Sequence, residues 1–163
     1  MKDSSSLSKK ITWVIHCLSY YICWFVCVYS ASLDYEYLGL IIALLIIGFQ
    51  VSWQILHNYP WSSYLTYAIF ITFLGSVTDT FWLYENFIYF HANPFRTSFS
   101  PPWMLSLWLS FGFNIILLYR DLINSYLIWG GVAFLSLPFA YWLGVKFGAA
   151  EVIINQYKFY FAL

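Results

Sequence analysis

Long apolar runs separated by short polar stretches dominate this chain. Ile11–Ala31, Tyr37–Leu56, Tyr64–Leu83, Trp103–Tyr119 and Tyr126–Leu143 are each almost free of charge. A bilayer's hydrocarbon core is about 30 Å thick and is crossed by a helix of about 20 apolar residues. Each run has the length of one crossing. The pattern predicts an all-α membrane protein, a compact bundle of five transmembrane helices that forms a single domain over residues 11–149.

Polar punctuation places the connections. Residues 1–10 are Ser-rich and carry Lys2, Lys9 and Lys10, which reads as a short disordered tail. Lys9-Lys10 followed by an apolar run ending near Ser30-Ala31-Ser32 has the outline of a secretory signal. A signal's apolar core is about 7–15 residues; this run is longer, so an uncleaved first helix is expected. Leu33-Asp34-Tyr35-Glu36 makes a tight acidic connection, and His57-Asn58-Tyr59-Pro60 marks a turn. The longest loop, Glu85–Pro102, holds Asn93-Pro94 and Pro101-Pro102 with Phe87, Tyr89, Phe90, Phe95 and Phe99. Such aromatic content suits a loop lying on the interface or folded over the bundle. Arg120-Asp121 with Asn124 forms the fourth connection. Beyond Lys146, apolar Val152-Ile153-Ile154 and Phe159–Leu163 are interrupted by Glu151, Asn155, Gln156 and Lys158. Residues 150–163 are therefore expected as an interfacial tail, with a sixth crossing as the alternative if the tail inserts. No internal repeat stands out.

Composition sharpens this picture. Of 163 residues 62% are hydrophobic and 9% charged, with a net charge of zero. Soluble domains carry about 25% charged residues, so water all round is excluded, and no basic stripe offers a nucleic-acid surface. The implied partners are the lipid bilayer and, within it, another membrane protein or a second copy of the chain. Among the abundant aromatics, Trp13, Trp61, Tyr84 and Trp103 fall near helix ends, where amphipathic rings suit the headgroup layer. Trp24, Trp53 and Trp108 lie deeper. Lys2, Lys9 and Lys10 hold the amino terminus in the cytoplasm. Five crossings then leave Arg120 inside and Arg96, Lys146 and Lys158 outside. Cys17, Cys23 and Cys27 all sit in the first run, an odd number that argues against a disulfide framework. His16 and Cys23 would stand about 10 Å apart along a helix, too far for one ion, so no metal and no cofactor is expected.

Ionisable groups inside the hydrocarbon layer are functional candidates by default. Asp79 lies within the third run, and Thr72, Gly75, Ser76 and Asp79 share a helix face by spacing. Two readings stand: a protonatable or ligand site, and a carboxyl hydrogen-bonded to a neighbour near the outer end. By helical rise Asp79 and Tyr141 both reach about 22 Å from the inner ends of their helices, whereas His16 stands at about 8 Å. Tyr141 is thus the expected partner of Asp79, with Ser106 and Lys146 within approach. His16 and Asn114 form the natural pair in the inner leaflet. Gly130-Gly131 and the Gly144/Gly148 step offer flat packing patches. Pro138 breaks one backbone bond and bends its helix, which either places the fifth helix centrally, near any cavity, or only improves its packing.

Several stretches together resemble a known pattern: Trp24-Phe25-Val26-Cys27-Val28; Gly75 with Asp79; Pro102-Trp103 with Leu107-Trp108 and Phe111; and Pro138, Tyr141, Gly144, Gly148 and Ala149. The chain resembles, from His16 to Glu151, a bacterial family of small multi-pass inner-membrane proteins catalogued as a domain of unknown function. It departs at Phe113-Asn114-Ile115, where the family carries a Thr-Leu and a nearby His, and at Leu137, where a glycine precedes the proline. The resemblance implies the bacterial inner membrane and a link to lipid metabolism. Three functions compete: a non-catalytic accessory or scaffold for a lipid or envelope system, a small-solute transporter or binding subunit around Asp79, and a membrane enzyme using Asp79, His57 or Glu85. The last ranks lowest, because a nucleophile, base and orienting group do not fall at adjacent depths.

Overall fold

The computed structural model describes the backbone of residues 3–96, 98–119 and 126–153, and side chains over 10–96, 98–115 and 136–153. Arg120-Asp121, Asn124, Lys158 and most of the expected interfacial tail lie outside the described residues. Five helices follow in order: α1 (Asp3–Ser32), α2 (Leu38–Leu56), α3 (Trp61–Tyr84), α4 (Pro102–Tyr119) and α5 (Tyr126–Lys146). They are joined by two short strands, β1 (Ile88–Phe90) and β2 (Ala150–Val152). α1 and α2, from Lys10–Ser32 and Leu38–Leu56, are long and apolar enough to cross a membrane. α3 is longer than α2, but Asp79 and a series of Ser and Thr keep its hydropathy lower.

Three features depart from the sequence expectation. The polar stretch expected as a disordered tail is helical from Asp3 onward, since extending a formed helix adds one bond per residue without a new nucleus. The fold is not purely helical: β1 and β2 pair antiparallel, with Tyr89 opposite Glu151. The first residues of the expected interfacial tail thereby become a strand on the aromatic loop. Among the described residues the helix that packs most widely is α4. α4 packs on α1, α2 and α3, whereas α5 meets β2, reaches α3 through Tyr141 and, just past its end, α1 through Phe147.

Small residues set these approaches. A Cβ on Gly112 would meet the Ala68 Cα at 2.8 Å, so α3 and α4 touch backbone to backbone. Gly39 has the same role between α2 and α1, where Cys27 Cα would stand 3.1 Å away. Four helices end alike. Asp34, Asn58, Asn86 and Gly148 adopt positive φ, at 59°, 56°, 55° and 77°. After each, the next residue's N–H bonds back five positions, as in Tyr35 to Ser30 O at 3.0 Å and Ala149 to Gly144 O at 2.9 Å. This pattern satisfies carbonyls that a helix end leaves open.

An apolar core that includes Leu83, Phe90, Trp103 and Phe113 is joined by an apolar exterior and by buried polar groups. Leu18, Ile22, Phe25, Leu45, Phe49, Phe70, Phe73 and Phe139 are exposed, while His16, Gln50, Gln54, Asp79, Ser110 and Asn114 are buried.

Candidate functional site

α3 carries Asp79 into the interior one turn after Gly75, and Trp108 of α4 lies across that glycine. A Cβ on Gly75 would fall 2.2 Å from the indole, so only glycine leaves space for the ring. The ring's edge then reaches the carboxylate: Trp108 Nε1 donates to Asp79 Oδ2 at 2.7 Å. The Tyr141 hydroxyl of α5 donates to Oδ1. Ser100 Oγ completes the set on Oδ2 at 3.5 Å, and the Ser100 N–H donates to Thr80 Oγ1 at 3.2 Å. Asp79 is 1% exposed. Burial of a carboxylate is tolerated where donors replace water, and here three elements besides its own helix supply them.

Beside this carboxylate is a chamber of about 110 Å³. Trp24 of α1, Leu107 and Trp108 of α4, and Ala140, Tyr141 and Gly144 of α5 are among its walls. A Cβ on Gly144 would meet nothing within 4 Å. The lining is overwhelmingly apolar; of its polar side chains, which include Tyr20 and Ser136, Tyr141 and Trp108 are turned onto Asp79. A sealed apolar cavity of about 150 Å³ accepts benzene-sized molecules; this chamber is partly open and has room for a few carbons of a hydrocarbon.

A second polar cluster lies among α1, α2 and α4. His16 Nδ1 stands 2.8 Å from Asn114 Oδ1, and Gln50 Nε2 donates to the same oxygen at 2.8 Å. Gln54 Nε2 lies 3.3 Å from His16 Nε2, and Phe113 stacks on the imidazole. His16, Gln50, Gln54 and Asn114 are at most 1% exposed.

The structure therefore brings Tyr141 to Asp79 and Asn114 to His16. Thr72, Ser76 and Ser106 donate instead to carbonyls of their own helices, at Ala68, Thr72 and Pro102. Lys146 stands over the Trp142 ring at 5.8 Å. His57 is exposed and stacks on Trp53, and Glu85 is exposed at the end of α3. Sequence reasoning did not single out Ser100, Gln50 or Gln54. The two glutamines had a signal, amides four apart within an otherwise apolar run; Ser100 had none. Among the described residues no group of His, Cys, Asp and Glu could hold a metal.

The family described as "Protein of unknown function (DUF2878)" matches residues 13–163. No curated protein and no solved structure matched the chain.

Proposed function

We propose that this chain, which belongs to the DUF2878 family of proteins of unknown function, is a non-catalytic multi-pass protein of the bacterial inner membrane that binds an apolar molecule. The chamber beside Asp79 would hold the molecule's hydrocarbon part. The observation that carries this reading is a carboxylate whose two oxygens are already engaged by the chain's own donors, next to a chamber whose lining is overwhelmingly apolar. Asp79 so engaged fixes a wall and is poorly placed to serve as a general base, which must reach a substrate proton.

Support for five crossings comes from the apolar exterior and from β1–β2. That pairing sets the ends of α3 and α5 at one end of the bundle, as alternating crossings require. Lys2, Lys9 and Lys10 then favour a cytoplasmic amino terminus. Lipid or a partner helix suits the exposed aromatic and aliphatic faces, in keeping with an accessory role in a lipid or envelope system.

The test is native mass spectrometry of protein extracted from bilayers of defined lipid and washed in detergent. Wild type retains an apolar adduct, and Gly144→Leu, which fills the chamber, loses it. Equal retention by both proteins would refute the chamber as the site.

A further inference from the structure

We infer that His16 is a proton-binding site, enclosed by amides so that turning one of them accommodates either charge state. The inference uses a different set of residues from the chamber and stands apart from it.

Asn114 Nδ2 donates to the Ser110 carbonyl at 2.7 Å, which fixes the amide's orientation and turns Oδ1 toward His16. Two lone pairs would repel at 2.8 Å, so the His16 Nδ1 carries the hydrogen. The lone pair is then on Nε2, and Gln54 Nε2 donates to it at 3.3 Å. Gln50 Nε2 stands 3.3 Å from the same Nδ1, which as a donor does not accept from it, and donates instead to Asn114 Oδ1 at 2.8 Å. This accounts for every nitrogen in the cluster and leaves two acceptors over. Gln50 Oε1 and Gln54 Oε1 are buried with no hydrogen-bond partner among the described residues. An amide oxygen in that state is costly and calls for a donor.

The 3.3 Å contact leaves no room for a molecule between Gln54 and the imidazole, but it does leave room for a proton. A hydronium ion supplies it, releasing water, and the Nε2 lone pair forms the new N–H bond. Gln54 lies within one turn of the end of α2, where His57 and Asn58 are exposed. The new N–H faces the Gln54 NH2 group. A half-turn of that amide replaces NH2 by Oε1, a swap of nearly equal shape, and gives the unpartnered oxygen its donor. The imidazolium then has an acceptor on each nitrogen, Asn114 Oδ1 and Gln54 Oε1. Gln54 is the positioning residue.

The surroundings contain no competing charge. Thr12 and, farther along, Cys23 face inward from α1, Gln50 and Gln54 from α2, and Ser110, Phe113 and Asn114 from α4. Tyr64 of α3 meets Phe113 edge-on. Among the described residues no carboxylate, lysine or arginine bonds to the cluster, so its charge would be that of His16.

The experiment is nitrogen-15 NMR of the full chain in lipid nanodiscs, with His and Gln side chains labelled and the His57 and His91 signals identified through His57→Gln and His91→Gln. Acidification is expected to convert the unequal His16 ring signals into the matched pair of an imidazolium, with the Gln54 NH2 signal moving at the same midpoint. Gln54→Leu should bind the proton about tenfold more weakly, the size of one hydrogen bond to a charged group. Should that variant fail to fold, the shared midpoint in wild type decides alone. The inference is overturned if His16 stays neutral wherever the protein remains folded. It is equally overturned if His16 titrates without Gln54, or if Gln54→Leu matches wild type.

Discussion

At the scale of single residues, the Asp79 site is a set of mutually dependent contacts. Removing one donor leaves a buried oxygen without water or partner, which costs about 1–3 kcal/mol. Tyr141→Phe should therefore destabilise the protein by about 1–3 kcal/mol, although the ring remains. Asp79→Asn should cost a similar amount, because an amide accepts with one oxygen and turns an NH2 toward the other donor. The double variant should fall short of the sum by about 1 kcal/mol, since both changes break one bond. Chemical unfolding in detergent measures all three; strict additivity would mean the tyrosine and the carboxylate do not interact. Glycines next to this site separate space from backbone freedom. Gly75→Ala drives a methyl to within 2.2 Å of the Trp108 indole and should cost about 1–3 kcal/mol by overpacking. Gly144→Ala meets open space and should be neutral or stabilising by up to about 1 kcal/mol through helix propensity. Melting temperatures that failed to separate the two would contradict the position of Trp108.

At the scale of elements, helix ends were legible and helix partners were not. Asp34 and Asn58 mark short connections in the sequence, and both hold the left-handed conformation that lets a helix stop. Gly148 does this for α5 and starts the turn into β2. Any other residue at φ 77° is strained, by about 1–2 kcal/mol. With nothing within 4 Å of its missing Cβ, Gly148→Ala isolates that backbone cost. The expected result is a stability loss of about 1 kcal/mol and faster amide exchange at Ile153, whose N–H bonds to Phe87 O. Unchanged exchange would show that β2 is held without the turn. What the pattern of residues concealed was pairing over long separations. Nothing in Ile88–Phe90 announces Ala150–Val152 as its partner, because three-residue strands carry no readable period. Pro138 drew attention to α5, whereas among the described residues the tightest helix contact, Gly112 on Ala68, joins α4 and α3. Tyr141 could be matched to Asp79 from helical rise alone, since both heights follow from counting residues. Gln50 and Gln54 passed unnoticed because an amide in an apolar run carries no charge to draw attention.

At the scale of the whole molecule, two independent arrangements bear on how the chain sits. Apolar side chains cover the outside of α1, α2 and α3, and polar ones meet inside beside an apolar core; such an exterior is stable where the surroundings are hydrocarbon and costly where they are water. The β1–β2 pair ties the loop after α3 to the end of α5, so both must leave the bundle at the same end. α2 and α3 are joined at the other end, through His57–Pro60. Five crossings from a cytoplasmic start predict Glu36, Glu85 and Glu151 on the outer side and Asn58 on the inner side. Single cysteines at those four positions, in a chain whose Cys17, Cys23 and Cys27 are replaced by alanine, allow a direct check with a membrane-impermeant maleimide on intact spheroplasts. Labelling is expected at 36, 85 and 151, with 58 reacting only after lysis. Reaction of 85 and 151 on opposite sides would contradict the strand pairing. Reaction of all four before lysis would mean that the helices do not alternate across a bilayer, and the apolar exterior would then have to be covered by protein.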